Sequence, residues 1–273
     1  MNKNYNEMKI LPVIILLMTL LSSCDKQDIK IPDHIRKDFK LVWNDEFDGD
    51  QLDTTKWDYR ATGSKRGYGI VSEDNCYLDG EGHLVIKVTK KIGDYMIGQV
   101  GTQKKYLTTF GYFECRAKMN HELGPHMAFW LQSPSMGVED DNPAENGTEI
   151  DIFEYHLNKG SNNVYHNLHW NGYGDKHKHA GTSVQVEGVD EGFHTFALEW
   201  NENEYIFYVD GIETWRTNEA VSHRSEYMIL SAELTGWGGD FSESLFPDDV
   251  TFDYVRVYQR KYNSDRSALK LCF

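Results

Sequence analysis

Between Gly147 and His156 the chain reads GTEIDIFEYH, with three carboxylates, Glu149, Asp151 and Glu154, set among Ile150, Ile152, Phe153 and Tyr155. Paired carboxylates can attack an electrophilic carbon and move protons to and from it, above all at the anomeric centre of a sugar. The β-branched and aromatic fillers make this stretch a strand. A helix fails, because residues five apart do not share a face and these fillers are poor helix formers. On a regular strand Glu149 and Asp151 point one way and Glu154 the other. A β-bulge at Ile152–Phe153 brings Glu154 back to the face of the other two, a known use of bulges beside active sites. The outer Cα atoms then stand roughly 13 Å apart. Side chains leaning together over a concave sheet could close that to about 5 Å, where one carboxylate attacks while the other protonates the leaving oxygen. A solvated edge strand with acids on its wet face is the plain alternative.

The elements that must position these residues are short. From Leu41 onward, alternating runs broken by Gly, Asn and Asp occupy 83–89, 112–119, 128–131, 148–155, 164–170, 193–200, 205–210, 227–234 and 251–258. Convincing amphipathic helices of ten or more residues are missing. The distribution predicts an all-β, two-sheet antiparallel sandwich of one domain, with Asp210-Gly211 as a hairpin turn.

The flanks of the acidic strand sharpen this. The segments LVWNDEFDGDQLDTTKWDYR (41–60), FGYFECRAKM (110–119), HMAFWLQSP (126–134), FHTFALEWNENEYIFYVDGIE (193–213) and FDYVRVYQR (252–260) lie around E-x-D-x-x-E in one order. In that order the chain resembles glycoside hydrolase family 16, the laminarinase, lichenase, agarase and endo-galactosidase group. The resemblance implies a β-jelly roll whose concave sheet forms a substrate cleft. It also implies a retaining endo-β-glycosidase with Glu149 as nucleophile, Glu154 as general acid then base, and Asp151 between them. Glu154 is expected to begin protonated, its pKa raised by the neighbouring negative charges.

The same resemblance places Trp130, His169 and Trp237 in the cleft, with Asn75 and Arg116 near it. Laminarinase-like members often read W-P-A-F-W where this chain has His126-Met127-Ala128-Phe129-Trp130, so His126 stands as a polar group where a Trp is common. Many members hold a structural calcium on the convex face, and Glu46 and Asp253 match the segments that do so. No cofactor is required for catalysis.

The expected partner is a polysaccharide or oligosaccharide: first β-1,3- or mixed-linkage β-1,3-1,4-glucan. An endo-β-1,4-galactosidase acting on neutral galactose-containing glycans, poly-N-acetyllactosamine chains or algal galactan, comes second. The third reading is a non-catalytic surface lipoprotein that captures glycans. Five histidines crowd one region, His156, His166, His169, His177 and His179. His177 and His179 sit beside Lys176 and Lys178 in NGYGDKHKHAG, which opposes a metal site and reads as a solvated loop at the cleft rim.

Against 28 Lys and Arg stand 43 Asp and Glu, a formal net charge of −15. Such a surface repels phosphate backbones and excludes nucleic acid as a partner. Residues 1–23 read as a lipoprotein signal peptide. Lys3 and Lys9 precede an apolar run, Ile10 to Leu21, too short to span a bilayer. The run ends in Leu21-Ser22-Ser23-Cys24, which looks like a bacterial lipobox and implies lipidation of Cys24. Residues 24–40 read as a polar tether, 41–262 as the catalytic domain and 263–273 as a tail. A monomer in the bacterial cell envelope, held to a membrane through its lipid alone, is expected. Cys76, Cys115 and Cys272 then allow at most one disulfide. Cys76 could pair with Cys115, but both sit in strand-like runs and read as buried thiols.

Overall fold

The computed structural model describes residues 31–261. The signal peptide, Cys24 and Cys272 lie outside the described residues. In chain order, helix α1 (Asp33–Asp38) is followed by β1 (Phe39–Asp45), β2 (Asp58–Tyr59), β3 (Lys65–Arg66), β4 (Gly69–Val71), β5 (Cys76–Leu78), β6 (Leu84–Lys91), β7 (Asp94–Gly101), β8 (Gly111–Lys118) and β9 (Gly124–Gln132). After the single turn α2 (Pro143–Asn146) come β10 (Glu149–Tyr155), β11 (Asn163–Trp170), β12 (Lys178–Gln185), β13 (His194–Trp200), β14 (Tyr205–Val209), β15 (Ile212–Thr217), β16 (Tyr227–Gly238) and β17 (Asp248–Arg260).

Pairing divides these strands into two facing sheets, the all-β jelly-roll sandwich expected. The front sheet runs β12-β11-β10-β9-β16-β7-β2. The back sheet runs β15-β14-β13-β8-β17, with β1 and β6 sharing the far edge of β17 and β5 beyond β6. The β6–β7 hairpin crosses between the sheets, and among the described residues only β4 with β7 pairs in parallel. Asp210 and Gly211 both take positive φ, 50° and 73°, at the β14–β15 turn, the backbone a two-residue type I′ hairpin needs.

Period-2 alternation explains the packing. From the front sheet, Phe129, Leu131, Ile150, Ile152, Phe153, Tyr155, Met228 and Leu230 point inward. They meet Phe113, Cys115, Phe196, Leu198, Phe252 and Val255 of the back sheet in one core. Phe153 and Phe196 pack with their rings tilted and centroids 4.3 Å apart at its centre; burying such a ring contributes about 2–3 kcal/mol.

Three expectations are corrected here. Residues 33–40, expected within the tether of 24–40, belong to the fold, because α1 lies on the outer face of the back sheet, with Ile35 and Phe39 buried against Tyr112, Ala197, Ile206 and Tyr208. Ile35 on the helix and Phe39 at the start of β1 give this segment an apolar face to dock with. Asn75 is not near the cleft: it is fully buried, and its amide nitrogen donates to the carbonyls of Lys87 and Met96, at 2.8 and 2.9 Å, where β6 and β7 part. Arg116 lies on the back sheet, where its guanidinium pairs with Asp253 at 2.6 Å and covers the Phe193 ring.

The calcium expectation fails with it. Asp253 is taken by Arg116, and Glu46 is held bidentately by Arg256 at 2.9 and 2.7 Å. Both carboxylates are already neutralised by separate arginines, so they do not offer a joint site for a cation. Cys76 and Cys115 are buried free thiols, and burial pushes the Cys76 pKa up to about 12.

Candidate active site

The acidic strand is bulged where its sequence requires. Asp151 pairs with Asn167 and Glu154 with Tyr165, so Ile152 and Phe153 together oppose His166. The bulge frees the Ile152 carbonyl from the ladder, and His166 satisfies it through Nδ1 at 2.7 Å, with Nε2 bonded to the Thr214 hydroxyl at 2.9 Å. Burial holds the His166 pKa down to about 4, so the ring is neutral and Nδ1 donates. His166 is therefore a core residue that fixes the bulge and not part of the rim. Before the strand, Gly147 has φ 87° and approaches Ser133 so closely that a Cβ would stand 2.1 Å from its Cβ, which only glycine tolerates.

Glu149, Asp151 and Glu154 all line a cleft of about 580 Å³ across the front sheet, together with His126, Trp130, His169 and Trp237. An oxygen of Glu149, an oxygen of Asp151 and a nitrogen of His169 lie within 4.8 Å of one another. Trp130 is nearly buried, its indole nitrogen donating to Ser231 at 3.2 Å and Arg60 lying over its ring. Trp237 is the opposite case, 71% exposed on the cleft edge, as a sugar-stacking platform would be. His169 stacks on His177, which in turn stacks on His179. His179 belongs to β12, across from His169, so the expected loop becomes a strand from Lys178 on. His156 is buried behind Glu154, stacked on Tyr165.

Neutral donors hold the triad. Gln132 donates to Glu149 at 2.9 Å and the Tyr173 hydroxyl donates to the same oxygen. The Gln132 amide oxygen accepts from Tyr227 at 2.5 Å and Arg60 at 3.1 Å, and Arg60 continues through Gln99 to Glu233, which Arg66 closes at 3.0 Å. On Glu154, Asn167 donates to Oε2, and His126 Nε2 lies 2.8 Å from Oε1. Gly181 lies across from Asn167 on β12, where a Cβ would be 2.0 Å from the Asn167 amide oxygen; its missing side chain leaves Asn167 room.

Burial, followed by the charge of Glu154, raises Glu149 to about 7, against the bonds from Tyr173 and Gln132. Burial, then the charges of Glu154 and Glu149, raises Asp151 well above the carboxylate range. Glu154 goes the other way. Burial opposes its ionisation, but the His126 imidazole beside it and the Asn167 amide outweigh burial and lower it to about 2. The direction is the reverse of the one expected for Glu154, because the His126 imidazole and the Asn167 amide beside it favour its charge.

Gln132, Asn167, Tyr173, Arg60, Arg66 and Glu233 were not foreseen. Strand alternation carries a signal for two of them: Gln132 is two residues from Trp130, and Asn167 two from His169, so each shares its neighbour's face. Tyr173 comes from the loop after β11 and has no such periodicity.

A cleft across a β-sandwich, with three acids on its floor and aromatic rings at its edge, is the architecture of an enzyme that cleaves glycosidic bonds. Residues 64–256 match the family model of glycosyl hydrolases family 16. The chain belongs to that family. It is 29% identical over 247 residues to a beta-glucanase of Rhodothermus marinus, covering 81% of this chain and 85% of that protein. It is also 26% identical over 243 residues to a keratan-sulfate endo-1,4-beta-galactosidase of Sphingobacterium multivorum, covering 81% of this chain and 56% of that one. The crystal structure of a laminarinase catalytic domain from Thermotoga maritima superposes with TM-score 0.72 at 27% identity, covering 83% of this chain and all of that one.

Proposed function

We propose that this glycoside hydrolase is a retaining endo-β-glycosidase of β-1,3- or mixed-linkage glucan. The observation that carries the mechanism is the bulged strand: its three carboxylates share one face, Glu149 and Glu154 at the two ends and Asp151 between. Glu149 attacks the anomeric carbon and the bond to the leaving oxygen breaks, giving a glycosyl-enzyme; Glu154 supplies the proton to that oxygen. In the second step water attacks the same carbon, Glu149 leaves, and Glu154 takes the water proton. Two inversions leave the anomer retained. Asp151, kept protonated by its surroundings, stands ready to donate a hydrogen bond to Glu149 as its charge changes. Proton NMR of the first-formed product tests the stereochemistry, and an inverted anomer refutes the scheme.

β-Glucan is favoured by the likeness to a beta-glucanase and a laminarinase, and by the flat exposed face of Trp237. A second reading, endo-β-galactosidase on neutral galactose-containing glycans, is favoured by His126, His156 and His169 around Glu154. Galactose carries an axial 4-hydroxyl that needs a polar partner where glucose can stack. Digestion of laminarin, lichenan, agarose and a poly-N-acetyllactosamine glycan, followed by product chromatography, separates the two. Oligosaccharides from the last alone overturn the glucan reading, and no products from any of them would favour a glycan-binding lipoprotein.

The lipobox supports a place in a bacterial cell envelope, with Cys24 acylated and the domain acting as a monomer near a membrane. Cys24→Ala then moves the protein to the soluble fraction; a variant that still pellets with membranes refutes the anchor.

A further inference from the structure

Glu154 makes an unusual pair for a group that must deliver a proton. Both of its oxygens already face nitrogen donors, Oε1 the His126 ring at 2.8 Å and Oε2 the Asn167 amide. Neither contact favours a proton on the carboxyl. The His126 side chain is 12% exposed, so the contact is shielded from water. On the far side of the ring, Nδ1 lies 3.3 Å from the Thr235 hydroxyl. A hydroxyl can accept from Nδ1–H or donate to a bare Nδ1, so the Thr235 contact survives in either charge state of the ring.

We propose that His126 and Glu154 hold the catalytic proton jointly, with His126 as the positioning residue that stores it until the leaving oxygen needs it. The inference rests on Glu154 being the acid and base. In the first step the leaving oxygen takes the proton of the Glu154 carboxyl, the C1–O bond electrons staying on that oxygen. The His126 Nε2 proton is the one that had passed to Glu154, so the ring ends neutral. In the second step water attacks C1, the bond to Glu149 breaks, and the water proton returns through Glu154 to Nε2. Each turnover restores the imidazolium, and the sum is hydrolysis alone.

The groups facing His126 support this division. From β10 comes Glu154, and just beyond that strand His156, with ring centroids 5.7 Å from His126. From β16 come Thr235 and Glu233, the latter paired in register with His126. His169 of β11 lines the same cavity, and Ala128, next on the same face of β9, carries no charge. Glu154 and Glu233 favour imidazolium, whereas His156 and His169 are held down to about 4 by burial and stay neutral. His126 itself is raised despite burial, by Glu154.

A pair sharing one proton binds it at least as tightly as either member with a neutral neighbour. His126→Gln therefore shifts the alkaline limb of kcat/KM to lower pH, by about one unit or more, which is about tenfold in rate on that side. The acid limb stays where Glu149 sets it. Aryl glycosides, whose leaving groups need no proton, lose far less than the polysaccharide cleaved in the substrate screen. An alkaline limb that does not move, or a loss equal at every pH and for every leaving group, overturns the proposal. Should His126→Gln fail to fold, 15N NMR of the histidine-labelled wild type and of Glu154→Gln decides: the His126 titration falls on losing the Glu154 charge, and one that stays put overturns the proposal. Full activity in Glu154→Gln refutes the acid–base reading instead, whatever the histidine does.

Discussion

Two sets of carboxylates, one on each sheet, are handled in opposite ways. On the back sheet Glu46 is gripped by Arg256 and Asp253 by Arg116. Arginine cannot release its proton at any working pH, so the positive partner of each is always present. On the front sheet, among the described residues, no lysine or arginine forms an ion pair with Glu149, Asp151 or Glu154. Their partners are Gln132, Tyr173, Asn167 and two histidines. Neutral donors orient a carboxylate without fixing its charge, and histidine changes charge near neutrality. Acids that hold the fold are locked by cations, and acids placed to react are left free to gain and lose protons.

The largest effect that separates the two sets is on turnover. Glu149→Gln and Glu154→Gln each lower kcat by roughly 10⁴-fold or more, while Asp253→Asn stays within about twofold because that carboxylate meets no substrate. Reducing-sugar release by the purified variants measures all three. Near-wild-type turnover in either glutamine variant would break the distinction at its centre.

Next comes the support of the nucleophile. Tyr173→Phe keeps the ring in the cleft and removes one donor to Glu149. A hydrogen bond to a charged group is worth about 1.5–3 kcal/mol, so kcat/KM falls about 10- to 100-fold with little change in melting temperature. A loss seen in stability but not in kcat/KM would move Tyr173 from the chemistry to the fold.

A third effect is on stability and has a sign. Glu149 is raised from 4.5 to about 7, so the native state binds its proton more tightly than the unfolded chain does. Its contribution is fully present below about pH 4.5 and is lost as pH rises through 7. Glu149→Gln removes the charge that the buried site resists, and is more stable than wild type at neutral pH by up to about 3 kcal/mol, each pKa unit being worth about 1.4. Urea unfolding at acid and neutral pH shows the gain growing with pH; equal stability at both would refute it.

How much of this was legible in the sequence follows from where each signal lives. The bulge and the shared face of the triad are local to ten residues, in the conflict between strand period and the five-residue spacing of the glutamates. Trp130, His126 and His169 share strands with, or neighbour, that motif. Arg116 shows the limit. Its neighbours Cys115 and Ala117 are apolar, so alternation puts it on a polar outer face, but nothing local says which sheet β8 joins. Asn75 failed for a related reason, since a buried asparagine capping two strand carbonyls looks in sequence like any polar turn residue. The start of the domain was misplaced because Ile31, Ile35 and Phe39 are too few to stand out in a polar stretch. The reversed charge of Glu154 required knowing that β9 lies beside β10, which brings His126 to it.

The smallest effect tests the back sheet itself. Arg256 bonds Glu46 through Nε and a terminal nitrogen, and its guanidinium also lies over the Tyr254 ring at 3.7 Å. Both members of the pair are partly exposed, at 23% and 33%, so water screens most of their attraction and Arg256→Met costs only about 0.5–1 kcal/mol. Burial works against the Glu46 charge, but Arg256 and Asn44 outweigh it and hold the pKa below the usual value. A depressed carboxylate stabilises the fold above its unfolded pKa of 4.5 and ceases to as pH falls through its lower native value. The gap between wild type and Arg256→Met therefore narrows from neutral pH toward pH 3, and reducing-sugar release at neutral pH is unchanged. A gap that persists at acid pH would mean that Arg256 acts by covering Tyr254 rather than by locking Glu46, and a fall in turnover would show that the two sheets are not separable after all.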